Sequence, residues 1–407
     1  MRCRICSSSN LTSDLHVPNH SKIELRIVQC NDCGLVQGMC DENMYSIEND
    51  TFKDPSLILS KISCDSPYSN IRVGKQQMAA KFFNIVDQLP FDLDDIKSVI
   101  DVRSARGSFI VNAPHKFTSA SIFVGLEQDL YLHPTAEVYD SSQIRIFDGS
   151  IYNYLGKPEG YDFVYSCHTL EHYRDPNKYI RHIKKLMSPN GYFFLDVPAI
   201  EDFIDDDLLD DFFYDKHLLY FSKQRLVTFL EAHDLNVLWS RSSGNGCLEV
   251  LAQVNSDTSS DKSIESQFSS SNTINPSRIL DYSVRLKSNR SLLPQCTRNI
   301  MNYISSVNCN ICAFGAGRIL DSFVVYGGLN VEAFDYFIDN FLHDASDSVN
   351  GLNICRFSDL DLSGDSIFVL FTRKNSDSLH KLIESKFPDA KIFHWSQFID
   401  SKNSLIA

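Results

Sequence analysis

No apolar run in this 407-residue chain comes near the roughly 18 residues that a membrane-spanning helix requires, so no membrane is expected among its partners. The first residues lack the apolar stretch of a secretory leader. Basic residues are in deficit: 38 Lys and Arg face 52 Asp and Glu, a formal net charge of −14, and the acids are spread along the chain. Phosphate backbones are gripped by clustered Lys and Arg, so no nucleic acid is expected either. Twelve cysteines without a leader suit a reducing compartment better than a disulfide framework. The expected address is the cytoplasm, and the chain is expected as a monomer or homodimer.

What is present is ordinary globular material, 43% hydrophobic and 22% charged, of a length that suits two to three domains. Cys3-x2-Cys6 and Cys30-x2-Cys33 form two CxxC knuckles. Four thiolates in this pattern suit tetrahedral Zn²⁺, and a closed four-thiolate site leaves no open position for water, so the expected zinc is structural. Cys40 and Cys64 have no such spacing and read as ordinary thiols.

The most informative stretch is YDFVYSCHTLEHYRDPNKYIRHIKKLMSPNGYFFLDVP, from Tyr161 to Pro198. An apolar strand, Phe163 to Tyr165, runs into a polar loop from Ser166 to His172. Asp175-Pro176 opens a helix, with proline suited to its first position. Ile180, Ile183 and Leu186 recur at helical spacing and predict a face packed on a sheet. Pro189-Asn190-Gly191 stops the helix, and Tyr192 to Val197 is the next buried strand. The histidines fall at the carboxyl end of the first strand, where open α/β sheets bind ligands.

This block resembles the class I methyltransferases that use S-adenosylmethionine, in which an "HxLEH" loop precedes a helix and a "PGG"-type turn. The resemblance implies a Rossmann-like core. Lys97 to Asp101 is then the first strand, after a helix at about Val73 to Leu89. The following turn approximates D-x-G-x-G-x-G in the family, and glycine there lets the backbone approach the cofactor closely. In this chain Asp101 opens the turn, Arg103 and Ala105 replace glycines, and Gly107 is retained. Arg103 either faces the cofactor's carboxylate or blocks the site. Glu127 ends the second strand and is placed to accept ribose hydroxyls. Asp148, in Phe147-Asp148-Gly149, matches the segment that meets the adenine amine, and His168 joins the expected cofactor contacts.

Asp211 to Ser222, DFFYDKHLLYFS, resembles a segment of the C-methyltransferases of nucleotide-linked 4-keto deoxysugars, "YHEHLSYFS". Tyr214, His217, Tyr220, Phe221 and Ser222 match, and Lys216 replaces a Glu. A carbon beside a ketone must lose a proton to become an enolate that attacks the sulfonium methyl. Imidazole is a suitable base at neutral pH, and Tyr or His can donate to the enolate oxygen. The resemblance makes His217 the base, His172 and Tyr214 the stabilising groups, and Tyr68 a substrate-side tyrosine. Lys216 either suits a diphosphate or an altered sugar, or marks lost activity.

Ser256 to Ser277 reads as a linker or long loop, and a helix follows to about Val307. Asn310 to Arg318, NICAFGAGR, is a second Rossmann-like start, with further strands at Ala333 to Ile338, before Asp339-Asn340, and at Ser366 to Phe371. This part resembles the C-terminal domain of the same sugar methyltransferases, which implies that it holds the nucleotide-sugar. Cys309-x2-Cys312 sits at a strand start without a second knuckle and reads as structural. The expected organisation is an α/β chain: a zinc-binding module at 1–66, a methyltransferase domain at 67–254, a Ser-rich linker at 255–277 and a second Rossmann-like domain at 278–407. Two other readings stay open: an O- or N-methyltransferase acting on another small molecule, and a non-catalytic relative with a degenerate cofactor turn.

Overall fold

The structure, a computed structural model, describes residues 1–17, 25–39, 45–46, 51–52, 73–105, 107–127, 143–201, 209, 212–213, 217–242, 246–254, 275–340, 343, 348–349, 352–372 and 377–399. Cys40, Cys64, Tyr68, Tyr214, Lys216 and the Ser-rich stretch 255–274 lie outside the described residues. The chain divides into two compact units. One comprises Met1–Cys64, Gly74–Asp205 and Phe212–Leu280; the other comprises Asp65–Val73, Asp206–Asp211 and Asp281–Ala407.

Three short strands open the first unit: β1 (Leu15–Val17), β2 (Leu25–Gln29) and β3 (Val36–Gly38). Its central part runs α1 (Val73–Ile85), β4 (Ser98–Val102), α2 (Ala113–Lys116), β5 (Ile122–Glu127), β6 (Ile144–Asp148), β7 (Tyr161–Cys167), α3 (Pro176–Leu186) and β8 (Met187–Pro198). It closes with β9 (Leu219–Tyr220), α4 (Lys223–Glu231), β10 (Leu235–Ser242) and β11 (Cys247–Val254).

Seven of these strands form one sheet in the order β10-β11-β8-β7-β4-β5-β6. Neighbours from β6 to β8 pair in parallel, while β11 is antiparallel to both β8 and β10. The parallel strands are buried on both faces and therefore read as near-continuous apolar runs. Alternate residues serve opposite layers. Val99, Phe123, Phe163 and Phe194 pack with Phe82 of α1 and with Phe109 and Phe117, while Ile100, Val124, Val164 and Leu195 pack with Ile180, Ile183 and Leu186 of α3. The helix α3 begins where expected: Asp175 caps it by accepting from the Lys178 N–H at 2.8 Å, with Pro176 in the first turn. It ends earlier than Pro189. Met187 already pairs with Tyr161, and the register slips before Tyr192. Gly160, at φ +73°, lets the chain pass against Met187, whose carbonyl oxygen would lie 2.3 Å from any Cβ.

The N-terminal strands do not stand apart from this sheet. β9 joins them in the order β1-β2-β3-β9, and Leu219 and Tyr220 pair antiparallel with Gln37 and Val36. The Arg4 guanidinium donates to the Arg174 carbonyl at 3.2 Å, and the Asn177 amide donates to the carbonyls of Arg4 and Ile5. Cys3, Ile5, Cys30, Cys33 and Leu35 accordingly share a core cluster with α3 and the sheet.

The second unit carries α5 (Pro276–Ser305, its residues from Asp281), β12 (Asn310–Phe314), α6 (Arg318–Ser322), β13 (Tyr336–Ile338), β14 (Ser348–Val349), β15 (Leu352–Cys355), β16 (Ser366–Leu370), α7 (Asp377–Lys386) and β17 (Lys391–His394). Its sheet has the order β14-β15-β13-β12-β16-β17, parallel except for β14. Ala333 belongs to a 3₁₀ turn rather than to the strand, which starts at Tyr336. Cys312 is a fully buried core residue of β12. The fold is thus α/β, with a Rossmann-like core. No helix among the described residues is long and apolar enough to cross a membrane.

Candidate functional site

The four N-terminal cysteines converge. Cys3 and Cys33 Sγ are 3.4 Å apart, Cys6 and Cys30 Sγ 3.6 Å, and all four sulfurs lie within 4.8 Å of one another. Zn–S bonds near 2.3 Å place the sulfurs of a tetrahedron about 3.8 Å apart, so the cage fits that ion. Both knuckles use one turn. Ser7 N–H returns to the Cys3 carbonyl and Gly34 N–H to the Cys30 carbonyl, with Ser7 at φ 60° and Gly34 at φ 78°. All four cysteines are buried, which suits a structural ion.

At the carboxyl ends of β4 and β5 the altered turn keeps the backbone that glycine would supply. Arg103 and Ala105 adopt φ 59° and 50°, and Gly107 φ 78°. A left-handed conformation costs a residue with a Cβ about 1–2 kcal/mol, so contacts must hold the turn. They do: Ser104 N–H donates to the Leu126 carbonyl at 2.8 Å and Ala105 N–H to Glu127 Oε2 at 2.7 Å. Gly125 admits Ser104, whose Oγ would lie 2.9 Å from a Cβ there. Glu127 is fully buried and reaches the turn with one carboxylate oxygen. Asp148 pairs with it in register at the end of β6, but is exposed. Asp101, Ser104, Ser108, Phe109, Tyr165 and Cys167 line a small cleft beside the turn. A left-handed turn, a missing Cβ at Gly125 and buried acids at two strand ends fit the cofactor that this architecture implies.

At the end of β7 three histidines surround one carboxylate. Glu171 is fully buried. Its Oε1 stands 3.4 Å from His168 Nδ1, 3.8 Å from His172 Nε2 and 4.0 Å from His217 Nε2. The rings of His172 and His217 meet edge to face with centroids 4.9 Å apart. Burial works against a charged Glu171, but the three histidines outweigh it and hold the carboxyl well below the usual range. His168 sits at φ 44°, which turns its ring toward Glu171, toward Asp196 Oδ1 at 3.8 Å and toward Cys247 Sγ at 3.6 Å. Burial opposes its charge as well, yet Cys247 and Glu171 keep its pKa well above the ordinary value. Asp196, at the end of β8, is pushed up to about 7 by burial, with Glu249 and Glu171 adding to the shift and His168 opposing it.

The structure therefore brings His168, His172 and His217 together and places Asp101 and Glu127 on neighbouring strands beside the turn of Arg103, Ala105 and Gly107. Tyr68, Tyr214 and Lys216 lie outside the described residues. Sequence reasoning missed Glu171 and Asp196 as functional groups. The signal for Glu171 was its place inside the "HxLEH" string. It also missed Gly38, where a Cβ would come 2.9 Å from the His217 carbonyl oxygen.

A family model described as a methyltransferase domain matches residues 75–240. The C-methyltransferase NovU of Streptomyces niveus is 31% identical over 75 residues, a match spanning 18% of this chain and 18% of that protein's length. A chain in a Haloferax volcanii complex with the Trm112 methyltransferase activator aligns at 13% identity, covering 47% of this chain and 98% of that one, with a TM-score of 0.39. A SAM-dependent methyltransferase from Aquifex aeolicus aligns at 15% identity, covering 49% and 98%, with a TM-score of 0.36.

Proposed function

We propose that this chain, which carries a class I S-adenosylmethionine-dependent methyltransferase domain, transfers a methyl group to a carbon of a nucleotide-linked 4-keto deoxysugar. The observation that supports this most is the facing pair His172 and His217 over buried Glu171. A carbon acid needs a base near neutral pH and a donor for the enolate oxygen, and two imidazoles at one site supply both. His217 removes the proton beside the ketone. By the resemblance, His172 and Tyr214 stabilise the enolate oxygen, Tyr68 is a substrate-side tyrosine and Lys216 suits a diphosphate or an altered sugar. The bound S-adenosylmethionine supplies the electrophilic methyl group.

Asp101, the Arg103–Gly107 turn and Glu127 hold that cofactor, with Asp148 and His168 completing its contacts. Arg103 is given the cofactor's carboxylate as its partner. The cysteine cage holds structural zinc. The second unit takes the nucleotide-sugar, and the protein works in the cytoplasm. The C-methyltransferase similarity over 75 residues supports carbon as the methylated atom.

Calorimetric titration with S-adenosylmethionine comes first: micromolar binding, lost in Glu127→Ala, is expected. Turnover of 4-keto nucleotide-sugars follows, with the product carbon located by NMR. A His217→Ala variant that binds cofactor and still methylates at the wild-type rate would remove the carbon-acid mechanism and favour transfer to oxygen or nitrogen. A folded chain that binds no cofactor would overturn the reading as a whole.

A further inference from the structure

We propose that Glu171, His172 and His217 form a binding site for one divalent transition-metal ion, separate from the cysteine cage. Glu171 is the key. It is fully buried, neither carboxylate oxygen makes a well-formed hydrogen bond among the described residues, and the nearest donor, His168 Nδ1, stands 3.4 Å from Oε1. The imidazole nitrogens of His172 and His217 approach Oε1 only to 3.8 and 4.0 Å. Those gaps exceed the roughly 2.7–3.2 Å of an N–H···O bond.

They suit a shared ion better. Metal–nitrogen and metal–oxygen bonds of about 2.0–2.2 Å set neighbouring donors roughly 3.0–3.5 Å apart, so a closure of about half an ångström brings each carboxylate–imidazole gap into that range. One atom from each residue already lies within 4.8 Å of the others. A backbone bond joins the two donor segments, Leu218 N–H donating to the Glu171 carbonyl at 2.8 Å, while His172 N–H donates to the Thr169 carbonyl at 3.1 Å within the turn that carries Glu171 and His172.

The charge balance points the same way. A buried carboxylate is costly unless it is paired, and a divalent cation held by Glu171 would supply a partner at direct bonding distance. Imidazole with carboxylate selects Zn²⁺, Co²⁺ or Ni²⁺ over Mg²⁺ or Ca²⁺, whereas the four thiolates of the cage form a distinct, softer site.

Metal binding stands independently of the acceptor's identity; only its effect on catalysis rests on the proposed function. A His217 nitrogen that holds a cation cannot take a proton. Filling the site is therefore expected to stop carbon methylation, so the metal acts as an inhibitor of that reaction.

The test uses the full chain with its cysteine cage already filled with zinc. Co²⁺ is added, and bound metal is counted after dialysis while the visible spectrum is recorded. The expected result is one further equivalent with the weak bands of nitrogen and oxygen ligation and no new thiolate charge-transfer band. That equivalent should disappear in His172→Ala and in the isosteric Glu171→Gln, each checked for a wild-type circular dichroism spectrum and zinc content. No further uptake by the wild type, or equal uptake by a folded His172→Ala, would overturn the site. Methyl transfer measured on the same samples tests the function separately: stimulation by Co²⁺ would leave the site standing and remove His217 from the role of base.

Discussion

The backbone N–H of Leu218 donates a 2.8 Å hydrogen bond to the carbonyl oxygen of Glu171. This bond ties the segment carrying His217 to the turn carrying His172. The next bond reaches the cysteine module, where Gly38 N–H donates to the Leu218 carbonyl at 3.0 Å, and β3 continues the pairing through Val36 and Gln37. The cage of cysteines is therefore connected by backbone alone to the histidine proposed as the base.

Gly38 is where that connection is tightest. A Cβ at this position would lie 2.9 Å from the His217 carbonyl oxygen, so Gly38→Ala must push the two backbones apart. Catalytic geometry tolerates little displacement, since about 1 Å can cost roughly a hundredfold. The expected outcome is a kcat lowered about tenfold, with unchanged zinc content and unchanged cofactor affinity. Steady-state kinetics beside a metal assay checks it; a wild-type kcat would mean that β3 does not set the position of His217.

Removing the zinc proposed for the cysteine cage should act on both stability and catalysis. Cys3, Cys30 and Cys33 belong to the same core cluster as α3 and the central sheet, and metal-binding energy in such cages is also folding energy. Chelation, or Cys30→Ser, is expected to lower the melting temperature by about ten degrees or more and to abolish methyl transfer. Differential scanning calorimetry with metal analysis reads both effects. A melting temperature that is unmoved by loss of the ion would make the cage dispensable to the fold.

Much of this arrangement could be read from local pattern. The spacing of Ile180, Ile183 and Leu186 announced the buried face of α3, and Asp175-Pro176 announced its cap, because both signals depend only on residues within two turns. The two CxxC knuckles and the strand ends at Asp101 and Glu127 were legible for the same reason. Pairing of β3 with Leu219 and Tyr220 was not, since it joins segments far apart in sequence and β9 is only two residues long. The left-handed backbone of Arg103 and Ala105 was hidden too. Substituted side chains suggested a changed turn, yet Glu127 and Leu126 hold the glycine-like conformation from a neighbouring strand.

That strained turn makes a prediction of its own. Ala105→Gly removes a left-handed penalty of about 1–2 kcal/mol but adds unfolded-chain entropy of about 0.5–1 kcal/mol. A net gain in stability of up to about 1 kcal/mol is expected, read as a rise of a few degrees in melting temperature. Arg103→Gly should gain similarly yet bind S-adenosylmethionine less tightly, because it also removes the guanidinium given the cofactor's carboxylate as partner. Calorimetry in the presence and absence of cofactor separates the two effects. Tighter cofactor binding by Arg103→Gly would show instead that the arginine obstructs the site.

Asp196 should make stability fall as pH rises from the acid range to about 7. Its carboxyl, ordinarily near 3.8, is pushed up to about 7, first by burial. Between these values the folded chain keeps a proton that the unfolded chain has released, so stability declines as pH rises through that window. Each pKa unit corresponds to about 1.4 kcal/mol, a few kcal/mol in all. His168, held above its usual value, acts in the same sense at higher pH: its contribution is complete below 6.5 and is lost as pH rises through its folded pKa. Glu171 acts oppositely, because its depressed pKa sustains stability above the ordinary carboxylate range and gives it up only in acid. Asp196→Asn carries no titrating group and is expected to melt several degrees higher than wild type at pH 8, with a smaller difference at pH 4. Thermal melts across that range decide the matter; parallel curves for the two proteins would mean that Asp196 is charged in the folded state throughout.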